Sequence, residues 1–273
     1  MGGMRTFAAA LLLLAGCADI QPRQKPPLSI AWEKNILTIA GPFPGEKVEV
    51  WYLEAFCRSG ARDRQWKETT IPHTTEKISD DGRVIKLLHK VQGGIEATSV
   101  ITAGFGEVDF QVEAVNKGTE YIDAQWVQPC VRLGPFTGCD QKSYVPRSFI
   151  FLDGKRTFLD KARRTEEAVY KGGQLYIPPG INRADCNPRP HSPDVPSNRL
   201  IGCVSANNEW LFATAWEPTQ ELFQGVIICL HNDFRLGGLQ PGETKRARGK
   251  IYIQENDVAM LLARYAQDFP DGR

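Results

Sequence analysis

The stretch from Trp210 to Ile253, WLFATAWEPTQELFQGVIICLHNDFRLGGLQPGETKRARGKIYI, limits most severely what this chain can fold into. It reads as strand, polar loop, very apolar strand, glycine turn and closing strand. The run Val226 to Leu230 is β-branched and almost uninterrupted, which predicts a strand buried on both faces of a sandwich core. Polar groups gather at its two ends: Trp216, Glu217, Gln220 and Glu221 before it, His231, Asn232, Asp233 and Arg235 after it. Such a gathering makes either a polyol site or the solvent-facing ends of a buried strand.

The N-terminus reads as an address. Arg5 gives a basic start, Phe7 to Leu14 is apolar, and Leu14-Ala15-Gly16-Cys17 follows at the distance a lipoprotein signal requires. This pattern resembles a bacterial lipobox. It implies residues 1–16 as signal, Cys17 as the acylated residue, 17–27 as a tether, and 28–273 as one sandwich domain. The apolar run is too short to span a bilayer. The expected location is therefore the cell envelope, on a lipid anchor.

With 33 basic and 32 acidic residues the chain has a formal charge of +1, so no long-range field gathers nucleic acid. Export to an oxidising compartment favours cysteine pairing. Beyond Cys17 stand Cys57, Cys130, Cys139, Cys186, Cys203 and Cys229, with Cys130 and Cys139 flanking a Gly/Pro loop as the best local pair. None has the C-x-x-C spacing of a zinc or redox site, so neither a metal nor a cofactor is expected.

Elsewhere the strand signals are regular. Ser29 to Trp32 and Ile36 to Ala40 form a hairpin around Lys34-Asn35, and Val48 to Phe56 is apolar on both sides, as in a central strand. Val84 to Val91, Ile95 to Thr102 and Val108 to Val115 make an antiparallel meander. Tyr121 to Leu133 carries Trp126, Gln128, Cys130 and Arg132 at a spacing of two, hence on one face, either lining a groove or meeting solvent. Ser148 to Leu152 and Arg156 to Leu159 flank an Asp153-Gly154 turn. Thr165 to Tyr170 suits a short helix, and Gln174 to Ile177 a strand. The proline-rich segment Pro178 to Arg199, with His191 in it, has the length and irregularity of a functional or covering loop. Leu200 to Val204 pairs with Trp210 to Ala215, and Asp257 caps a C-terminal helix from Val258 to Ala266.

Glu217 with Gln220, the turn Leu239-Gln240-Pro241-Gly242-Glu243-Thr244 and the closing strand Ile251-Tyr252-Ile253 resemble the C-terminal third of galactose mutarotase-like sandwiches of the aldose 1-epimerase superfamily. Glu107 to Val115, ending in Asn116 before a turn, is similar to a strand-to-turn element of the same folds. The resemblance covers less than half the chain. It implies an all-β, large antiparallel β-sandwich (a supersandwich) with one C-terminal helix and a sugar-related groove. By it, Glu217 is the candidate base; no histidine matches the family's catalytic acid, and His231 is the candidate on geometry, since a strand continuing through it points His231 and Asp233 the same way. Trp126, Gln128, Arg132, His191, Trp216 and Gln220 are candidate sugar contacts. The expected roles are an enzyme acting on carbohydrate, a carbohydrate-binding lipoprotein, or a structural or assembly lipoprotein that docks through the sandwich. The enzyme reading requires Glu217 and His231 within roughly 10 Å of each other in a common pocket.

Overall fold

Left-handed backbone at Lys34 and Asn35, with φ of 49° and 66°, closes the first hairpin. It joins β1 (Ser29–Glu33) to β2 (Ile36–Ala40). The computed structural model describes residues 28–270, so the signal-like run, Cys17 and the tether lie outside the described residues. Next come β3 (Lys47–Cys57), α1 (Trp66–Thr69) and the two-residue β4 (Thr70–Ile71). The expected meander is built from β5 (His73–Asp80), β6 (Val84–Val91), β7 (Ile95–Ala103) and β8 (Glu107–Asn116), each antiparallel to its neighbour. Then follow β9 (Trp126–Arg132), α2 (Gly134–Thr137), β10 (Ser148–Leu152), β11 (Lys155–Phe158), α3 (Glu166–Lys171) and β12 (Gln174–Tyr176). The chain continues with β13 (Ile201–Val204), β14 (Trp210–Glu217), β15 (Thr219–Gln224), β16 (Cys229–Arg235), β17 (Thr244–Glu255) and α4 (Val258–Asp268).

These strands make two antiparallel sheets. One has eight strands in the order β1-β2-β3-β9-β16-β15-β12, with β4 beside β3; the other has nine, in the order β11-β10-β13-β14-β17-β8-β7-β6-β5. The apolar face of each turns inward, so Tyr52, Val127, Val131, Leu222, Leu230 and Phe234 share one core with Phe110, Phe212, Trp216, Ile251 and Ile253. This is the expected sandwich, and it is closed by the expected C-terminal helix. Asp257 caps α4 by accepting the Met260 N–H at 2.9 Å. Leu261 and Tyr265 pack with Phe149, Leu211 and Tyr252 as a second apolar layer on the far side of the nine-stranded sheet.

Trp216 fastens the two sheets. Its ring stacks on Phe234 with centroids 4.4 Å apart and also meets Phe110 at 5.4 Å. The backbone of β17 passes so close that a Cβ at Gly249 would sit 2.4 Å from the indole, which only glycine allows. Trp216 is therefore a core residue, 2% exposed, and the expectation that it meets a sugar is corrected.

Three further expectations are corrected. The strand placed at Val226 to Leu230 is mostly a turn: β15 ends at Gln224, β16 begins at Cys229, and Ile227 is 42% exposed. The supposed polar loop before it, Thr219 to Gln224, is instead a strand buried at every position. The reason is that the polar side chains of β15 are satisfied by distant partners, Gln220 by Arg235, Glu221 by Asn187 of the loop 178–199, and Gln224 by Tyr144 and Arg164, so hydrophobicity marks the turn and not the strand. The proposed Cys130–Cys139 bridge is also absent: Cys57, Cys130, Cys139, Cys186, Cys203 and Cys229 are all free thiols, and the Cys139 Sγ donates to the Thr137 carbonyl at 3.4 Å.

Candidate functional site

Alternation along β9 turns Val127 and Val131 into the core and leaves Trp126, Gln128, Cys130 and Arg132 on the opposite face, as its period of two predicts. On β16, Leu230 and Phe234 face inward, so Cys229, His231 and Asp233 take the outer side. Antiparallel register sets His231 opposite Cys130, Phe223 opposite His231, and Glu221 opposite Asp233. In β3 the register to β9 slips between Trp51 and Ala55, and Glu54 within that slip reaches the same side. The outer face of four adjacent strands thus becomes the floor of a groove.

The groove encloses about 300 Å³. Glu54, Gln128, Cys130, Cys229 and His231 line its floor, while Trp66 of α1, Phe223, the apolar turn Val226-Ile227 and the loop residues Asn187 and Arg189 form its walls. Trp126 lies beneath: it is fully buried, its Nε1 donates to the Asp185 carbonyl at 2.6 Å, and its ring supports Trp66 at a centroid distance of 6.1 Å. The sequence reading had the right strand face but the wrong tryptophan, because Trp66 sits in a short helix inside a polar loop.

A hydrogen-bonded chain crosses the floor. The Gln128 Nε2 lies 3.3 Å from the Glu54 carboxylate and 2.8 Å from His231 Nδ1. The other imidazole nitrogen, Nε2, lies 3.2 Å from the Cys229 Sγ. Burial opposes a charge on His231, but the neighbouring Cys130, Glu54 and Glu221 outweigh it and raise its pKa. Below the floor, Glu221 and Asp233 are both fully buried. Burial moves Glu221 up to about 7 although its carboxylate accepts the Asn187 N–H, and burial next to Glu221 drives Asp233 well above the carboxylate range. Two carboxyls facing each other across a strand pair cannot both ionise, so this pair retains a proton near neutrality.

The structure does not bring Glu217 and His231 together. Glu217 ends β14 in the other sheet, where Arg199 reaches one carboxylate oxygen at 2.5 Å and Arg248 the other at 2.5 Å. Partial burial acts upward on it, but the two guanidiniums prevail and hold it below the usual carboxylate range. It lines a separate depression on the nine-stranded sheet, with Gln111, Arg246 and Arg248. An acid clamped in this way is a structural anion. Gln220 is likewise occupied, accepting from Arg235 at 2.8 Å under the loop. His191 holds that loop in place, its Nε2 3.3 Å from the Asn187 carbonyl, and burial lowers its pKa to about 4. Arg132 borders the floor, its Nε donating to the Cys130 Sγ at 3.3 Å and its guanidinium over the Trp51 ring, 5.8 Å from the centroid. Asp233 is present but lies one layer below the groove, and Gln128 and His231 line it.

No family model and no curated protein matches the chain. Solved structures of similar outline include a putative aldose 1-epimerase from Escherichia coli K12, 9% identical over 84% of this chain and 99% of that one, with a TM-score of 0.42. A galactose mutarotase related enzyme from Lactobacillus acidophilus is 10% identical, over 85% and 98% of the two chains, at a TM-score of 0.45. A galactose mutarotase-like protein from Lactobacillus casei is 7% identical, over 83% and 100%, at 0.44. Likeness at this level carries no activity across. The sandwich rests on the chain's own strand order, and the site on its own side chains.

Proposed function

We propose that this protein is a cell-envelope lipoprotein, anchored through Cys17, that binds carbohydrate in the groove of the eight-stranded sheet. The observation that carries the reading is the lining. Two aromatic rings, Trp66 and Phe223, share one concave space with the planar polar groups of Glu54, Gln128, Asn187 and Arg189. A sugar ring has an apolar C–H face that an aromatic ring covers and a rim of hydroxyls that such planar groups satisfy. The volume is at the small end for ligand pockets, which suits a single ring or the end of a chain. The lipobox-like pattern supports the anchor.

The arrangement Glu54, Gln128 and His231 favours chemistry as a second reading. An acid and an imidazole bridged by one amide can take and return a proton at a bound hydroxyl. Calorimetric titration against a panel of mono- and oligosaccharides tests both readings. Binding that is lost in Trp66→Ala and Gln128→Ala supports the groove; turnover lost with binding kept in Glu54→Gln supports chemistry. Failure of every sugar to bind the wild type refutes both and leaves the assembly role, with the sandwich as a docking surface.

A further inference from the structure

Cys130, Cys229 and His231 sit together at the floor of the groove, all buried, with their Sγ and ring nitrogen atoms within 4.8 Å of one another. We propose that these three side chains bind one thiophilic d10 cation of the Zn2+ type, leaving a fourth coordination position open to the groove. The inference does not depend on the carbohydrate reading. Where both hold, the ion occupies His231 and leaves Glu54 as the proton acceptor.

The donor spacing fits. A tetrahedral zinc with bonds of about 2.3 Å to sulfur and about 2.0 Å to nitrogen sets its donors roughly 3.5–3.8 Å apart. The His231 Nε2 to Cys229 Sγ distance of 3.2 Å needs an adjustment of tenths of an ångström, and the 4.8 Å limit on all three at most about one ångström, within reach of side-chain rotation. Two thiolates and an imidazole select zinc-like ions over Mg2+ or Ca2+, which require oxygen ligands. The backbone makes room for the sulfur: a Cβ at Gly225 would lie 2.1 Å from the Cys229 Sγ, so the turn tolerates only glycine there. Arg132, whose Nε lies 3.3 Å from the Cys130 Sγ, brings a positive charge beside the sulfur that would bind the ion.

The surroundings also point to a ligand. The Gln128 Oε1 is buried without a partner, while the amide nitrogen faces His231 Nδ1 at 2.8 Å. When Nε2 binds an ion, the imidazole proton must be on Nδ1 and needs an acceptor. Turning the Gln128 amide supplies that acceptor from the orphaned oxygen, fixing the ring as outer-sphere partners of metal-bound histidines do. The turned oxygen then also faces Glu54, whose carboxylate swings into the groove it lines to relieve the repulsion. Binding itself releases protons from the two thiols. Sequence spacing hid this set because the cysteines come from different strands and meet only through the pairing of β9 with β16.

Purified full-length protein, reduced and stripped with a chelator, is titrated with Co2+ and, separately, with Zn2+ against a chromophoric competitor. The expected result is one ion per chain, with sulfur-to-cobalt charge-transfer bands and the intense visible bands of a tetrahedral site. Cys130→Ser, Cys229→Ser and His231→Gln each lose that ion or change its spectrum, while Cys139→Ser, outside the groove, keeps it. Gln128→Ala retains the stoichiometry but binds about 10- to 100-fold more weakly. Absence of sulfur-to-cobalt bands in the reduced wild type overturns the proposal, even if every variant misfolds. So does an ion retained by the Cys130→Ser/Cys229→Ser double variant, or a Cys130–Cys229 disulfide in protein isolated from the envelope.

Discussion

Replacing His89 by glutamine should remove a defined part of the protein's sensitivity to acid. His89 is fully buried in β6, its Nδ1 2.9 Å from the Thr75 hydroxyl and its Nε2 2.9 Å from that of Ser99, with the Tyr52 ring at 5.8 Å. No carboxylate faces it among these partners. Burial, with a smaller contribution from the nearby His73, lowers its pKa from 6.5 to about 3. The folded state therefore keeps the imidazole neutral while the unfolded chain protonates it below about 6.5. Below that pH the unfolded state binds more protons, so stability is fully present above 6.5 and is lost as pH falls toward 3. The fall from 6.5 to about 3 corresponds to about 5 kcal/mol when fully expressed, and to about 2 kcal/mol at pH 5. Glutamine can bond both hydroxyls but does not titrate. Urea unfolding followed by tryptophan fluorescence at pH 7.5 and pH 5 should show the wild type losing about 2 kcal/mol more than His89→Gln. Equal losses would refute a neutral buried imidazole as the source.

Three other outcomes follow from the same contacts. Glu221 has its pKa raised, so its contribution to stability is present below its unfolded value of 4.5 and is lost as pH rises toward about 7. Glu221→Gln should therefore gain stability over the metal-free wild type at pH 8 and not at pH 4.5, measured by thermal unfolding with chelator present. Glu217→Gln should leave sugar binding unchanged, because Arg199 and Arg248 already occupy that carboxylate away from the groove; calorimetry with the best ligand is the check. Trp216→Ala removes the stack that joins the sheets and should cost about 3–5 kcal/mol in urea unfolding, as other deletions of large buried aromatics do.

The parts of the fold that could be read from the sequence are those where one face is buried and the other is wet. The meander, the Lys34-Asn35 and Asp153-Gly154 hairpins, the α4 cap and the shared face of Gln128, Cys130 and Arg132 all follow from local period or turn chemistry. What was not legible depends on non-local covering. β15 looks like a loop because Gln220, Glu221 and Gln224 are polar, yet Arg235, Asn187 and Tyr144 satisfy them after the chain has folded over. The apolar run at Val226-Ile227 looks like a core strand, but it is a groove wall. Glu54 reaches the floor through a register slip that no periodicity encodes, and Asn187 and Arg189 arrive from a loop whose path its prolines do not specify. Glu217 resembles a catalytic acidic residue in sequence because a glutamine, Gln220, follows it closely. Its two arginine partners come from β17 and from the residue preceding β13 by two, out of sight of that pattern.

On the proposed reading, saccharide binds to the outer face of β3, β9, β16 and β15. Hydrogen–deuterium exchange with and without the best-binding saccharide measures that directly. Slowed exchange is expected in the loop around 187–189, in the 225–229 turn and in α1, with the segments around Glu217 and Arg248 unchanged. Protection confined to Glu217, Arg246 and Arg248, with the groove segments unaffected, would contradict it.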